Sequence, residues 1–257
     1  MNTVGLILHQ VRYEWRSFWR NPAAAFFGAI FPLIFLVIFN LVFGNNEISI
    51  PGGTTHASTF YVPAIAAMAV VNSCFTGLAM NASIARDMGI LKRMRGTPLP
   101  AWAYLLAKII QMSLVALLIV TIVVVAGLLF FGVTLQPRML PAFALTVLLG
   151  AATFSALGLA VTALVPNADA APPVVNGIAL PLLFISDVFV RSDSAPGWLS
   201  TVANIFPIRH LSLALQTAFN PFEAGNGFDA QRLLVLVLWL VVGAALGRRF
   251  FSWEPRR

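Results

Sequence analysis

The side chains most able to do chemistry are few in this chain, and they lie far apart. The three histidines, His9, His56 and His210, sit in separate segments with none of the short spacings that gather imidazoles on one metal ion. The single cysteine, Cys74, lies inside an apolar run. Alone it makes neither an internal disulfide nor a metal site, and it reads as a small packing residue. The two lysines, Lys92 and Lys108, do not follow glycine, so the Gly-Lys-Ser/Thr device that cradles nucleotide phosphates is missing. Asn81-Ala82-Ser83 matches a glycosylation acceptor but falls near the inner end of an apolar run, where that modification does not occur. No catalytic residue, metal site or bound cofactor is expected on this chain.

Neutral polar groups remain, embedded in apolar runs: Asn72, Ser73, Thr76, Asn81 and Ser83, then Thr153, Ser155 and Thr162, then Asn176. Each can serve as a hydrogen bond between helices. Asn72, Thr76 and Asn176 are also candidates for lining a translocation path. Ala152, Ala156 and Ala160 repeat every four positions, which permits close helix approach. Carriers driven by ions usually keep ionisable residues inside the membrane. Here Asp187 is the one acidic residue near a run, close to its outer end. Any transport would then draw its energy from a partner that hydrolyses ATP.

The elements that must position these groups are membrane helices. Of 257 residues, 59% are hydrophobic and 10% charged, and the mean hydropathy is +0.87. A soluble domain carries roughly a quarter charged residues. The net charge of +7 comes from residues clustered just outside the apolar runs, which argues for membrane orientation rather than nucleic-acid binding. Six runs are each near the roughly 20 residues that a bilayer core needs. They cover about Pro22–Phe43, Phe60–Ala85, Trp102–Phe131, Pro141–Val165, Pro173–Phe189 and Leu233–Leu246. Residues 3–21 read as an amphipathic helix in the membrane interface. Val4, Ile7, Leu8, Val11, Trp15 and Phe18 line one face, His9, Arg12, Arg16 and Arg20 the other, with Trp19 beside them. No cleavable signal peptide is visible, so the first span would be an uncleaved anchor. Between the fifth and sixth runs, short apolar pieces broken by Pro196, Pro207 and Pro221 suggest re-entrant or interfacial helices, or a long surface loop. The expected fold is a single all-α transmembrane domain over 1–257: an interfacial helix (3–21), six spans (22–246) and a cytoplasmic tail (247–257). Basic residues concentrate at the N-terminus, in 86–95 and at the C-terminus, so both ends are expected in the cytoplasm of an inner-membrane protein.

The loop after the second run is Arg86-Asp87-Met88-Gly89-Ile90-Leu91-Lys92-Arg93-Met94-Arg95-Gly96-Thr97-Pro98-Leu99-Pro100. It has a short helical pattern, with Met88, Leu91 and Met94 on one face, stopped by Gly96 and Pro98. An apolar ridge on a short basic helix suits docking to a soluble partner. Here the chain resembles the permease subunits of ABC-2 type transporters, in the drug-export, daunorubicin-resistance-like branch. The residues carrying the resemblance are Trp15 to Pro22, then Asp87, Gly89, Leu91, Arg95 and Thr97 to Pro100, then Ile185 to Phe189, Pro196 to Leu199 and Phe206-Pro207. Ile90, Lys92 and Asp187 depart from the pattern, which usually has Thr, an acidic residue and Gly there. The resemblance implies two paired permeases, identical or different, above two separate ATP-binding subunits that carry ATP and Mg. It implies that Asp87, Gly89, Leu91, Lys92, Arg95, Thr97, Pro98 and Leu99 form the coupling element. It places Asp187 and Phe189 at an outer gate. The expected cargo is an amphipathic drug or lipid. The alternatives are a permease for a polysaccharide or glycolipid, or a channel or structural membrane protein outside this family.

Overall fold

A computed structural model describes residues 3–22, 26–95, 100–189 and 197–254. It is helical except for one two-stranded hairpin. Helix α1 (Thr3–Trp19) packs along α6 (Ala101–Phe130). Its inward side is Val11 and Glu14, with Trp15 and Phe18 half-buried, while Val4 and Leu8 stay exposed. The expected apolar face therefore turns only partly inward. Glu14 takes an inward position because Lys108 of α6 meets it at 2.8 Å.

A π turn (Phe26–Ile30) leads into α2 (Phe31–Phe43), with Pro32 in its first turn. Phe31, Phe35, Phe39 and Phe43 recur at one-turn spacing, and successive ring centroids lie 4.7, 5.8 and 6.0 Å apart. The next connection contains a β-hairpin. Strands β1 (Glu47–Ile50) and β2 (Gly53–His56) pair antiparallel, with Ile50 opposite Gly53. Pro51-Gly52 makes the turn, and the φ of Gly52 is +101°, which a side chain would strain. Phe222 lies over this turn: a Cβ on Gly52 would fall 2.5 Å from its Cβ.

Helix α3 (Ser58–Val71), a π segment (Asn72–Gly77) and α4 (Leu78–Asp87) form one continuous rod. The rod is apolar all round and rich in alanine, so neighbours approach it from every side. Its apolar window is 89% buried, against 17% for α11 (Ala230–Phe250), so this rod is the axis of the bundle and α11 is peripheral. Short α5 (Ile90–Arg95) precedes α6. Helix α7 (Leu140–Val161) closes with a 3-10 turn, Thr162–Leu164, and α8 (Ala171–Ile185) follows. The alanine repeat of α7 finds its partner in α11. Gly243 sits so close to α7 that a Cβ would be 3.1 Å from the Ala156 carbonyl carbon, and Gly247 lies beside Ala156 and Ala160.

Among the described residues, four rods are long and apolar enough to cross a membrane: Ser58–Asp87, Trp102–Phe130, Pro137–Leu164 and Ala230–Phe250. Helices α2 and α8 are apolar but shorter. The last rod overruns the expected Leu233–Leu246 at both ends. Asp229 caps it by accepting the Arg232 N–H at 3.1 Å, and Arg248 and Arg249 fall in its final turn, where cations suit the helix dipole. The two ends of the bundle differ. One carries the β-hairpin, tied to the 220–229 connection through Asn220 and Pro51. The other carries α1, α5 and the residues after α11, and is called the tail end below.

Candidate functional site

At the tail end, Arg86 and Asp87 join α4 to the α7–α8 connection. Arg86 is 1% exposed and donates to the Thr162 carbonyl at 2.9 Å and to the Val165 carbonyl. A helix leaves its last carbonyls without intrahelical partners, and this guanidinium supplies donors where α7 stops. Asp87 accepts the Ala168 N–H at 3.0 Å. Gly89 then turns the chain with φ +70°, which frees α5 to run off at a new angle.

Helix α5 corrects the expected docking face. Leu91 is fully buried against Ala85 and Tyr104, with Met94, Phe251 and Trp253 packed around them. It anchors α5 to the bundle instead of facing outward. Met88 and Ile90 are the large apolar residues left exposed there, with Lys92 and Arg93 also exposed. Helical spacing put Met88 and Leu91 on one face, but Gly89 breaks the helix between them. The side chain of Arg95 and all of Thr97, Pro98 and Leu99 lie outside the described residues.

Midway along the rod, the π segment places Asn72 and Thr76 on one cavity of about 200 Å³, with Ser73 and Asn81 also at its wall. Phe18 and Gly28 close it from the N-terminal side. One extra residue per turn shifts the ladder of backbone bonds, a device common at functional sites. Gly158 accommodates the widened turn, since a Cβ there would meet the Phe75 and Cys74 carbonyls at 2.9 and 3.0 Å. Asn176 is half-buried on α8 and does not line this cavity.

The third cluster is a wedge between α8 and α11. Helix α9 (Gly197–Ala203) and α10 (Pro207–Phe219) meet at a tight turn, Asn204–Phe206. This turn lies at the mid-height of α11, because Trp239 Nε1 donates to the Ile205 carbonyl at 2.9 Å. The pair thus dips into the bundle beside the middle of α11. Non-helical backbone at such depth must be satisfied by protein. Arg209 donates to the Ser200 carbonyl at 2.7 Å, and His210 Nε2 donates to the Asn204 carbonyl at 2.8 Å. Arg209 Nε also meets Asp187 at 2.8 Å, both side chains being nearly inaccessible. Arg191, which also follows Asp187 closely in the chain, lies outside the described residues. The Asp187 carbonyl accepts from Ser212 at 2.9 Å and Gln216 at 3.2 Å. Its φ of +54° is left-handed, which glycine adopts most freely and Asp tolerates. Phe189 stacks beside this site on Phe35, Phe39 and Phe184, joining the α2 ladder to α8.

Of the N-terminal residues singled out in the sequence, Trp15 and Trp19 touch edge to face at 5.9 Å, and Arg16 and Arg20 are exposed. Sequence spacing missed the clamp of Arg86, the Glu14–Lys108 pair and the role of His210. The available signal was a charged or polar side chain inside or at the edge of an apolar run.

A bundle with four membrane-length helices, a broken central rod and a wedge reaching the middle of α11 defines a polytopic membrane protein, and among the described residues no group of three His, Cys, Asp or Glu side chains could hold a metal ion. The chain belongs to the ABC-2 type transporter family, whose pattern it matches over residues 6–220. It is similar to a daunorubicin resistance ABC transporter permease protein of Streptomyces coeruleorubidus, at 28% identity across 72% of this chain and 64% of that one. A putative transport permease of Porphyra purpurea is 28% identical across 75% and 66% of the two chains. A probable doxorubicin resistance ABC transporter permease protein of Mycobacterium tuberculosis is 26% identical across 77% and 71%. The match thus spans about two thirds of the first relative's length, 64%.

Proposed function

We propose that this chain is the membrane subunit of an ATP-driven exporter that moves an amphipathic drug or lipid-like molecule outward. The observation that carries this reading is the family membership together with a daunorubicin resistance permease among the relatives. Six spans follow if α2, extended by the π turn, and α8 cross beside the four long rods. Tail-end basic residues, Lys92, Arg93, Arg248 and Arg249, then put that end and both termini in the cytoplasm of the inner membrane. Helix α1 lies in the interface there. Two copies, or this chain and a second permease, pair, and cargo passes between them. ATP and Mg reside on a separate ATP-binding subunit docked at α5, whose contact residues are Met88 and Ile90, flanked by Lys92. A push on α5 reaches α8 through Arg86 and Asp87, and the Asp187–Arg209 pair with Phe189 forms the outer gate. The Asn72–Thr76 cavity lines part of the path.

Purification of the chain from its native membrane tests the reading. A P-loop ATPase should co-purify, and the chain alone should hydrolyse no ATP. Met88→Glu with Ile90→Glu should abolish substrate-stimulated ATP hydrolysis while leaving the permease in the membrane. Recovery of the chain without an ATPase, or unaltered stimulation in the double variant, would reject it.

A further inference from the structure

We propose that the groove between α6 and α11 at the tail end is a binding site for one anionic phospholipid. The groove encloses about 400 Å³. Trp102, Leu106 and Ile109 form its α6 wall, and Ala244 and Arg248 its α11 wall. It exists because Gly243 and Gly247 let α11 ride close on α7, which leaves a channel beside α6. From Trp102 to Ile109 it runs roughly 10 Å along the helix axis, enough for the upper part of an acyl chain.

The mouth sets the ligand class. Among the described residues, Arg248 is the one charged side chain lining the groove, and none of their carboxylates lines it to hold a choline. Among the described residues, none of the ion pairs includes Arg248, whereas Lys108 is taken by Glu14. Two indoles line the same groove, Trp102, which is largely exposed, and Trp253. An apolar slot below a guanidinium and two indoles matches a diacyl tail below a phosphate at the interface. Arg249 points elsewhere, 5.7 Å over the Phe250 ring, and does not line the groove. The proposal needs only insertion in a bilayer and is independent of the transport reading.

Native mass spectrometry of the full chain in mild detergent tests it, with dioleoyl phosphatidylglycerol and dioleoyl phosphatidylcholine as competing probes. Wild type should retain one phosphatidylglycerol with a preference of roughly tenfold, about 1.4 kcal/mol. Arg248→Gln should remove the preference, and Arg249→Gln should keep it. Ala244→Trp fills the groove from its exposed wall and should reduce retention of both lipids. Arg248 and Ala244 are exposed, so the variants should unfold at the wild-type temperature, which is checked in parallel. Equal retention of both lipids by wild type, an unchanged preference in Arg248→Gln, or no lipid adduct at all would overturn the proposal. The last result would mean that another chain covers the groove.

Discussion

Asp187 sits under two constraints that pull its identity in different directions. Its left-handed backbone favours glycine, and its carboxylate pairs with a buried Arg209. Removing one member of such a pair leaves an unpaired charge and costs about 3–5 kcal/mol. Asp187→Leu should therefore lower the thermal midpoint in detergent markedly, and Asp187→Leu with Arg209→Met should recover most of the loss. A double variant as unstable as the single one would show that the Arg209 bond to the Ser200 carbonyl, lost in both, matters more than the ion pair. If the pair is also the gate, Asp187→Asn in vesicles with the ATPase should change the transport rate beyond what the lost stability explains. At Leu91 the expectation is different from that at Met88. Leu91→Ala empties a packed position and should cost roughly 2–5 kcal/mol, whereas Met88→Ala, at an exposed site, should leave the melting temperature near wild type.

At the scale of elements, the α9–α10 pair makes a positional claim. Its turn is level with the middle of α11, while Asn220 emerges beside the β-hairpin. In a Cys74→Ser background, a cysteine at Asn220 should react with an impermeant thiol reagent added from outside. A cysteine at Ile205 should not, and labelling of both at equal rates would place the turn in water. The α7–α11 contact makes a second claim. Gly243→Leu would drive a side chain into the Ala156–Leu157 backbone, so it should destabilise far more than Ala244→Leu on the neighbouring exposed position. Denaturation of the two variants side by side measures the difference.

For the molecule as a whole, the distribution of buried charge suggests how its parts move together. Arg86 and Asp87 bind the end of the central rod to the α7–α8 connection, and Glu14–Lys108 binds α1 to α6. Each tie satisfies groups that would be costly to expose in hydrocarbon, so the helices it joins should shift as a unit. Arg86→Gln should then weaken coupling between ATP hydrolysis and transport in the assembled complex. Both activities persisting at the wild-type ratio would limit Arg86 to a structural role.

The long apolar runs, the basic clusters and the proline-broken stretch before α11 were legible in the sequence, because a bilayer demands them of any chain that crosses it. The close helix approach was legible in part, from Ala152, Ala156 and Ala160, although its partners Gly243 and Gly247 were not. The β-hairpin left only a short mark, in Ile48, Ile50 and Pro51-Gly52, beside the much longer apolar runs. Other features had no local mark. Leu91 and Met88 look alike in an apolar pattern, and only the packing of Phe251 and Trp253 on Leu91 makes one an anchor and leaves the other free. Nor could spacing show that Arg86 reaches carbonyls on residues 162 and 165, or that Arg209 meets Asp187. Periodicity states which face of a helix is apolar. Which neighbour that face meets, and which charge is buried with it, depends on contacts between residues far apart in the chain, and those arise only when the bundle closes.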